Sequence, residues 1–193
     1  MGVYERLKQT DRLLFDIELE PVQGDRFQPT GFADLGPAEY EAPDGTSKLL
    51  VESPQSMANR LESTCWDEHS DGIVAELEGL PYVEVKLDGK ARTNSLLEAH
   101  RINSEYILGN SGDEEFTTKF EEEINFADDK PVDWDALHEG LAKYDPNSLI
   151  HGAFLEEIAG RLKVSRKLSA FIEATGVRPV ESGGTKFSRV EPG

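Results

Sequence analysis

The residue types that most often carry chemistry are thinly spread in this chain. Its four histidines, His69, His100, His138 and His151, show no spacing of a zinc-binding pair. Glu98 and His100 fall two positions apart on a predicted helix and so point to different faces. The chain contains no HExxH, GxSxG, phosphate-loop or GxGxxG pattern. Its one cysteine, Cys65, stands beside Trp66 at a predicted helix end and reads as packing rather than as a nucleophile. Carboxylates are too abundant, at 38, for any pair of them to single out acid–base catalysis. The sequence therefore calls for no cofactor and no metal.

What remains is a set of Arg, Gln, Asn, Ser and Gly side chains at predicted loops and helix starts. "GDRFQPTGF" supplies Arg26, Phe27, Gln28 and Gly31, and "SPQSMANR" supplies Gln55, Ser56, Asn59 and Arg60. "TNSLLEAHR" supplies Asn94, Ser95 and Arg101, and "HGAF" supplies His151 and Gly152. Such groups suit phosphate and 2′-hydroxyl contacts, and Phe27 or Phe187 could stack on a base. Taken singly, each reads as well as a cap or a turn. Near the end of the chain "SGGTKFSRV" gathers two glycines, an aromatic and two cations.

Charge is divided in the same sense. Residues 158–193 hold seven Lys/Arg (Arg161, Lys163, Arg166, Lys167, Arg178, Lys186, Arg189) against three acids, a net of +4, in a chain of −18. The first 157 residues accordingly carry −22. A basic end on an acidic body reads as one surface for a polyanion and others for solvent or salt, although a solvated face gives the same count.

The elements that must position these residues alternate. "LLFDIELE" (13–20) has the period of two of a half-buried strand, and a Gly- and Pro-rich loop follows. "KLLVE" (48–52) predicts a second strand. Ser53 and Pro54 then open a predicted helix bearing Met57 and Leu61 on one face. "YVEVKL" (82–87) predicts a strand ending at the Asp88-Gly89 turn, and 93–103 predicts a helix. Residues 113–130, with eight acids, read as a solvated run. Asp133 caps a predicted helix over 133–144, Asp145-Pro146 breaks it, and 166–177 alternates as a strand. The order is that of an α+β fold in one domain. No apolar run approaches the roughly 20 residues of a membrane span, no apolar signal-peptide core is visible, and one cysteine makes no internal disulfide, which together favour the cytoplasm.

The segments "PVQGDRFQPTGFADLG", "LLVESPQSMANRLESTCWD", "LLEAHRINSEYIL" and "SAFIEATGVRPVESGGTKFSRVEPG" resemble the RAMP-type backbone subunit of the type I-G (formerly I-U) CRISPR effector. This is a branch of the "Cas-seven" family, the repeated subunit of Cascade. The likeness runs from about Leu14 to Pro192 and is weakest in the acidic stretch. It implies a modified RRM or ferredoxin-like core over 1–193 with long loop and helical insertions, the acidic one around 109–132. It implies a non-catalytic subunit that stacks head-to-tail along a guide RNA, with target DNA met through the guide and other Cascade subunits as further partners. No membrane partner is implied.

Carried over by motif, the RNA-binding residues are Arg26, Gln28, Gln55, Ser56, Asn59, Arg60, Asn94, Ser95, His100, Arg101, Arg178, Ser182, Gly183, Gly184, Lys186 and Arg189. Backbone contacts suit a guide whose sequence must not matter. Family members continue past "SGGTKFSRVEPG" into further strands, so the resemblance implies a fragment, a C-terminally truncated gene product or a split subunit. The alternative is an RNA-cleaving RAMP enzyme using Asp25 or Asp34 with His100 or His151.

Overall fold

A computed structural model describes residues 5, 7–32, 36–109, 111–127, 129–159 and 162–178. Strands β1 (Gly31–Phe32) and β2 (Gly36–Pro37) form a small ribbon, and β3 (Glu39–Glu41) and β4 (Ser47–Glu52) form the next antiparallel pair. Helix α1 (Pro54–Ser63) leads through β5 (Trp66–Asp67) and β6 (Gly72–Ile73) to the hairpin β7 (Glu84–Leu87) and β8 (Lys90–Asn94). Helices α2 (Glu114–Glu123), α3 (Trp134–Tyr144) and α4 (Pro146–His151) follow, then β9 (Ala153–Leu155), α5 (Glu156–Ala159), β10 (Leu162–Val164) and β11 (Ile172–Thr175). Mixed helices and small antiparallel sheets make this an α+β fold. Among the described residues the largest sheet has three strands, in the order β11-β4-β3.

Local chemistry explains most boundaries. Ser53 has extended backbone and its hydroxyl accepts from the Ser56 amide, with Pro54 in the first turn of α1. Asp133 caps α3 through the Ala136 amide in the same way. Asp88 and Gly89 both take positive φ (53° and 74°), the two-residue turn that matches the twist of the β7–β8 hairpin.

The apolar core lies in the second half of the chain. Ile102, Phe120, Ile124, Leu137, Leu141, Leu155 and Leu162 are at most 2% exposed and pack as one cluster. The acidic run at 113–130 is therefore not wholly solvated: α2 turns its carboxylates outward and drives Phe120 and Ile124 into the centre. Phe116, Phe120 and Tyr144 meet ring to ring, with centroids 5.3–6.3 Å apart. Gly140 lets α2 and α3 approach, since a Cβ there would stand 2.7 Å from Ile124 Cγ2.

Two expected elements are absent. Residues 13–20 are exposed and join no sheet, because alternation makes a strand only where a second backbone supplies the ladder. Residues 93–103 are not a helix. The Asn94 side chain accepts from the amides of Leu96 and Leu97, a local bond that ends β8 in a tight turn, and only Arg101–Asn103 forms a 3₁₀ turn. Of the 166–177 segment, 172–175 is strand.

Phe120→Ala should cost about 3–5 kcal/mol of unfolding free energy, read by urea titration. A loss under 1 kcal/mol would mean that the acidic segment is peripheral.

Candidate nucleic-acid interface

One group of the polar residues above lies on two segments that a backbone hydrogen bond ties together. The Thr30 amide donates to the Val51 carbonyl (2.8 Å), fixing the end of the first long loop to the last turn of chain before α1. Arg26, Phe27 and Gln28, all exposed, lie two to four residues before that bond. Gln55 and Asn59 are exposed on α1 at i, i+4, hence on one face. Arg60 is exposed beside them, and its guanidinium donates to Glu52. Ser56 is half-buried and its hydroxyl donates to the same carboxylate. No acidic residue occupies the first turn of α1 itself, but the Glu52 carboxylate, just before the cap, lies against it.

Other residues are drawn inward. Arg101 is buried at 7% exposure, with φ of 56°. Its Nε and Nη2 donate to the two Glu62 oxygens at 2.6 and 2.7 Å, and Nη1 donates to the Gly152 carbonyl at 3.2 Å. Ser95 is fully buried and its hydroxyl accepts from the Val83 amide, while buried Asn94 closes its own turn. These three thus brace the fold in this conformation. His100 is exposed. Arg178 is exposed beyond Thr175, which pairs with Lys48, whereas α1 starts beyond Glu52, which pairs with Ile172. It therefore lies toward the opposite end of the sheet from the α1 surface. Arg161, Ser182, Gly183, Gly184, Lys186 and Arg189, with Asp34 of the enzymatic alternative, lie outside the described residues.

A concavity of about 540 Å³ is lined by Asp67, Ser70, Glu76 and Glu78 among others, and contains none of these cations. Its carboxylates repel a polyanion, and Arg26 and Arg60 lie outside it.

A second cluster, packed around Arg101, is not foreshadowed by any sequence motif. Glu62, 1% exposed, is pushed up to about 7 by burial, with Arg101 pulling it down and Asp145 pushing it further up. Asp145, fully buried, is likewise raised by burial, against hydrogen bonds from the Ser148 hydroxyl and the Ile102 amide. His151 is held down to about 4 by burial and by the Arg101 and Arg166 charges. Burial and the Glu62 charge also raise Cys65. The available signal was a charged side chain, Glu62, four residues after Ala58 on the inward face of α1. Nothing in the sequence matches it to a partner 39 residues away.

These shifts set opposing pH slopes. Folded Glu62 keeps a proton that the unfolded chain loses between 4.5 and about 7, so its contribution to stability falls as pH rises through that window. Folded His151 refuses a proton that the unfolded chain takes up between 6.5 and about 4, so its contribution falls as pH drops. His151→Gln should leave a urea midpoint that declines from pH 4.5 to 7, and Glu62→Gln should weaken or reverse that slope, with raised Asp145 still opposing the reversal. Parallel profiles for the two variants would refute the assignment. Arg101→Met should be costlier than either above pH 7, at about 3–5 kcal/mol, because there it leaves the ionised Glu62 buried without its partner.

No curated protein matches the chain. The model of a protein family described as CRISPR-associated protein GSU0053 matches residues 13–179. That span covers the first loop, α1, the Arg101–Glu62 pair and every helix of the core, so the chain belongs to the CRISPR-associated protein GSU0053 family, whose place is in CRISPR defence.

Proposed function

We propose that this chain is a non-catalytic guide-RNA-binding backbone subunit of a type I-G Cascade effector, with a modified RRM-like RAMP core and copies arranged head-to-tail along the guide. The single observation carrying this reading is the family match, which runs through the loop and helix that bear Arg26 and Arg60. Arg26, Gln28, Gln55, Asn59 and Arg60 form the central patch for phosphate and ribose, with Phe27 as a stacking platform. His100, Arg178 and the motif residues Ser182, Gly183, Gly184, Lys186 and Arg189 are further RNA contacts by motif, Arg178 lying apart from that patch toward the other end of the sheet.

The physics favours backbone recognition. Arg and Gln side chains at a helix face grip phosphates without reading base edges, which suits a guide of any sequence. Glu52 holds Arg60 and Ser56, so the patch is partly ordered before RNA arrives, and a phosphate would share the Arg60 guanidinium with that carboxylate. The −18 charge elsewhere discourages adventitious nucleic acid. Contacts between unlike patches do not close on themselves, as an array along RNA requires.

Filter binding to guide RNA of varied sequence should give similar affinities that fall with salt. Arg26→Ala or Arg60→Ala should weaken binding across all sequences and reduce the logarithmic salt slope by about 0.7 each. Labelled guide and target RNA should stay intact with or without magnesium, and multimer size in gel filtration should follow RNA length. Indifference to RNA at low salt, or cleavage of it, would sink the proposal.

A further inference from the structure

The least settled segment of the described chain is 13–22. Leu14, Phe15, Ile17, Leu19 and Val22 are 66–106% exposed. No described backbone hydrogen bond involves residues 11–29. Leaving such apolar side chains in water forgoes roughly 1.5–3 kcal/mol each on burial. The segment alternates, with Leu13, Phe15, Ile17 and Leu19 on one side and Asp16, Glu18 and Glu20 on the other.

The three-stranded sheet offers two open edges. The outer edge of β3 presents Glu39 and Glu41, like charges to the segment. The outer edge of β11 makes no further pairing among the described residues, and the chain around it exposes Leu168 (44%) and Phe171 (56%). Exposed Lys167 precedes β11 and exposed Arg178 follows it. Residue 30 is fixed on β4 at its Val51 end, and β11 begins at that end, since Ile172 pairs with Glu52. Ten residues from 20 to 30 reach up to about 33 Å, whereas passing from β4 to the far side of β11 takes about 10 Å.

We infer that residues 13–19 close on the free edge of β11 in the same chain, as a fourth, antiparallel strand. In that direction residue 19 ends near Ile172 and the loop returns to Thr30. Glu20 lies on the side toward Lys167, Glu18 comes opposite Glu173, whose carboxylate Lys48 and Tyr40 already hold, and Asp11 and Arg12 come near Arg178. The apolar side extends the face on which Ala174 pairs with buried Leu49. A short tether favours the same chain over a second copy, since it sets an effective concentration in the millimolar range. Closure pins the first loop at both ends and so preorganises Arg26, Phe27 and Gln28; that consequence alone rests on the function proposed above.

Hydrogen exchange on the full chain without RNA tests the pairing independently of any RNA binding. Amides of 13–19 should exchange about 100-fold more slowly than in an unstructured chain. The protection should not change when the protein is diluted, and Ile17→Pro should release both this segment and the outer amides of β11. Unprotected amides overturn the inference, as does protection that fades on dilution, which would assign the strand to a second copy. RNA binding by Ile17→Pro separates the two claims: weakened affinity with exposed amides ties closure to the loop, whereas unchanged affinity leaves RNA binding intact and refutes the preorganisation.

Discussion

The arrangement of this protein depends on one buried ion pair. Helix α1 buries only Ala58 and Glu62, so what fastens it inward is a carboxylate. Arg101 answers with a two-pronged grip and passes its third bond to the Gly152 carbonyl, where β9 begins. The side that presents Gln55, Asn59 and Arg60 is thus oriented through a charge pair toward the apolar half of the molecule. An ion pair is a costly fastener, because both groups lose water, and it is a poor source of net stability. It is, however, geometrically strict: a planar guanidinium against a carboxylate sets distance and rotation together. An apolar contact of the same size would tolerate sliding.

The surroundings of the pair bear the marks of that strictness. Arg101 adopts a left-handed backbone, uncommon for a residue with a long side chain. Gly152, whose carbonyl it reaches, has φ of 83° and stands so close to Val164 that a Cβ would lie 2.9 Å from its carbonyl oxygen. Asp145 binds the amide of Ile102, the residue after Arg101, and so fixes the turn from the other side. Asp145 Oδ1, Asn147 Nδ2 and His151 Nδ1 remain buried without a protein partner. Polar groups left so in a core are tolerated where the neighbouring geometry is over-determined. Here that geometry is the α4 end of the Arg101 cluster.

How much of this was legible in the sequence follows from the range of each interaction. Ser53, Asp133 and Asp88-Gly89 act on amides within three residues, and they marked α1, α3 and the β7–β8 turn correctly. The first loop and the exposed face of α1 could be read as polar and cationic, because exposure follows from composition. Residues 93–103 misled because helical spacing competes with the Asn94 side chain, which takes the amides a helix would need. The acidic stretch misled because its many carboxylates outweigh two inward residues, Phe120 and Ile124, in any average. Glu62 and Arg101 were invisible as partners: each is an ordinary surface residue by type, and only the tertiary fold brings them together.

The fold distinguishes the acids of this chain by pairing rather than by distance. Glu52 lies directly under Arg60 and Ser56, yet it is 7% exposed, so it meets solvent mainly through the groups it holds. Glu173 is similarly engaged by Lys48 and Tyr40 on the open face of the sheet. A carboxylate so covered orders a cation while contributing little negative potential at the surface, whereas the carboxylates of the open concavity keep theirs. Local sign at each face is therefore decided by which acids are paired, not by the net charge of the chain. The sequence count of −18 therefore does not set the sign at the first loop and α1, where Arg26 follows Asp25 and Arg60 rests on Glu52.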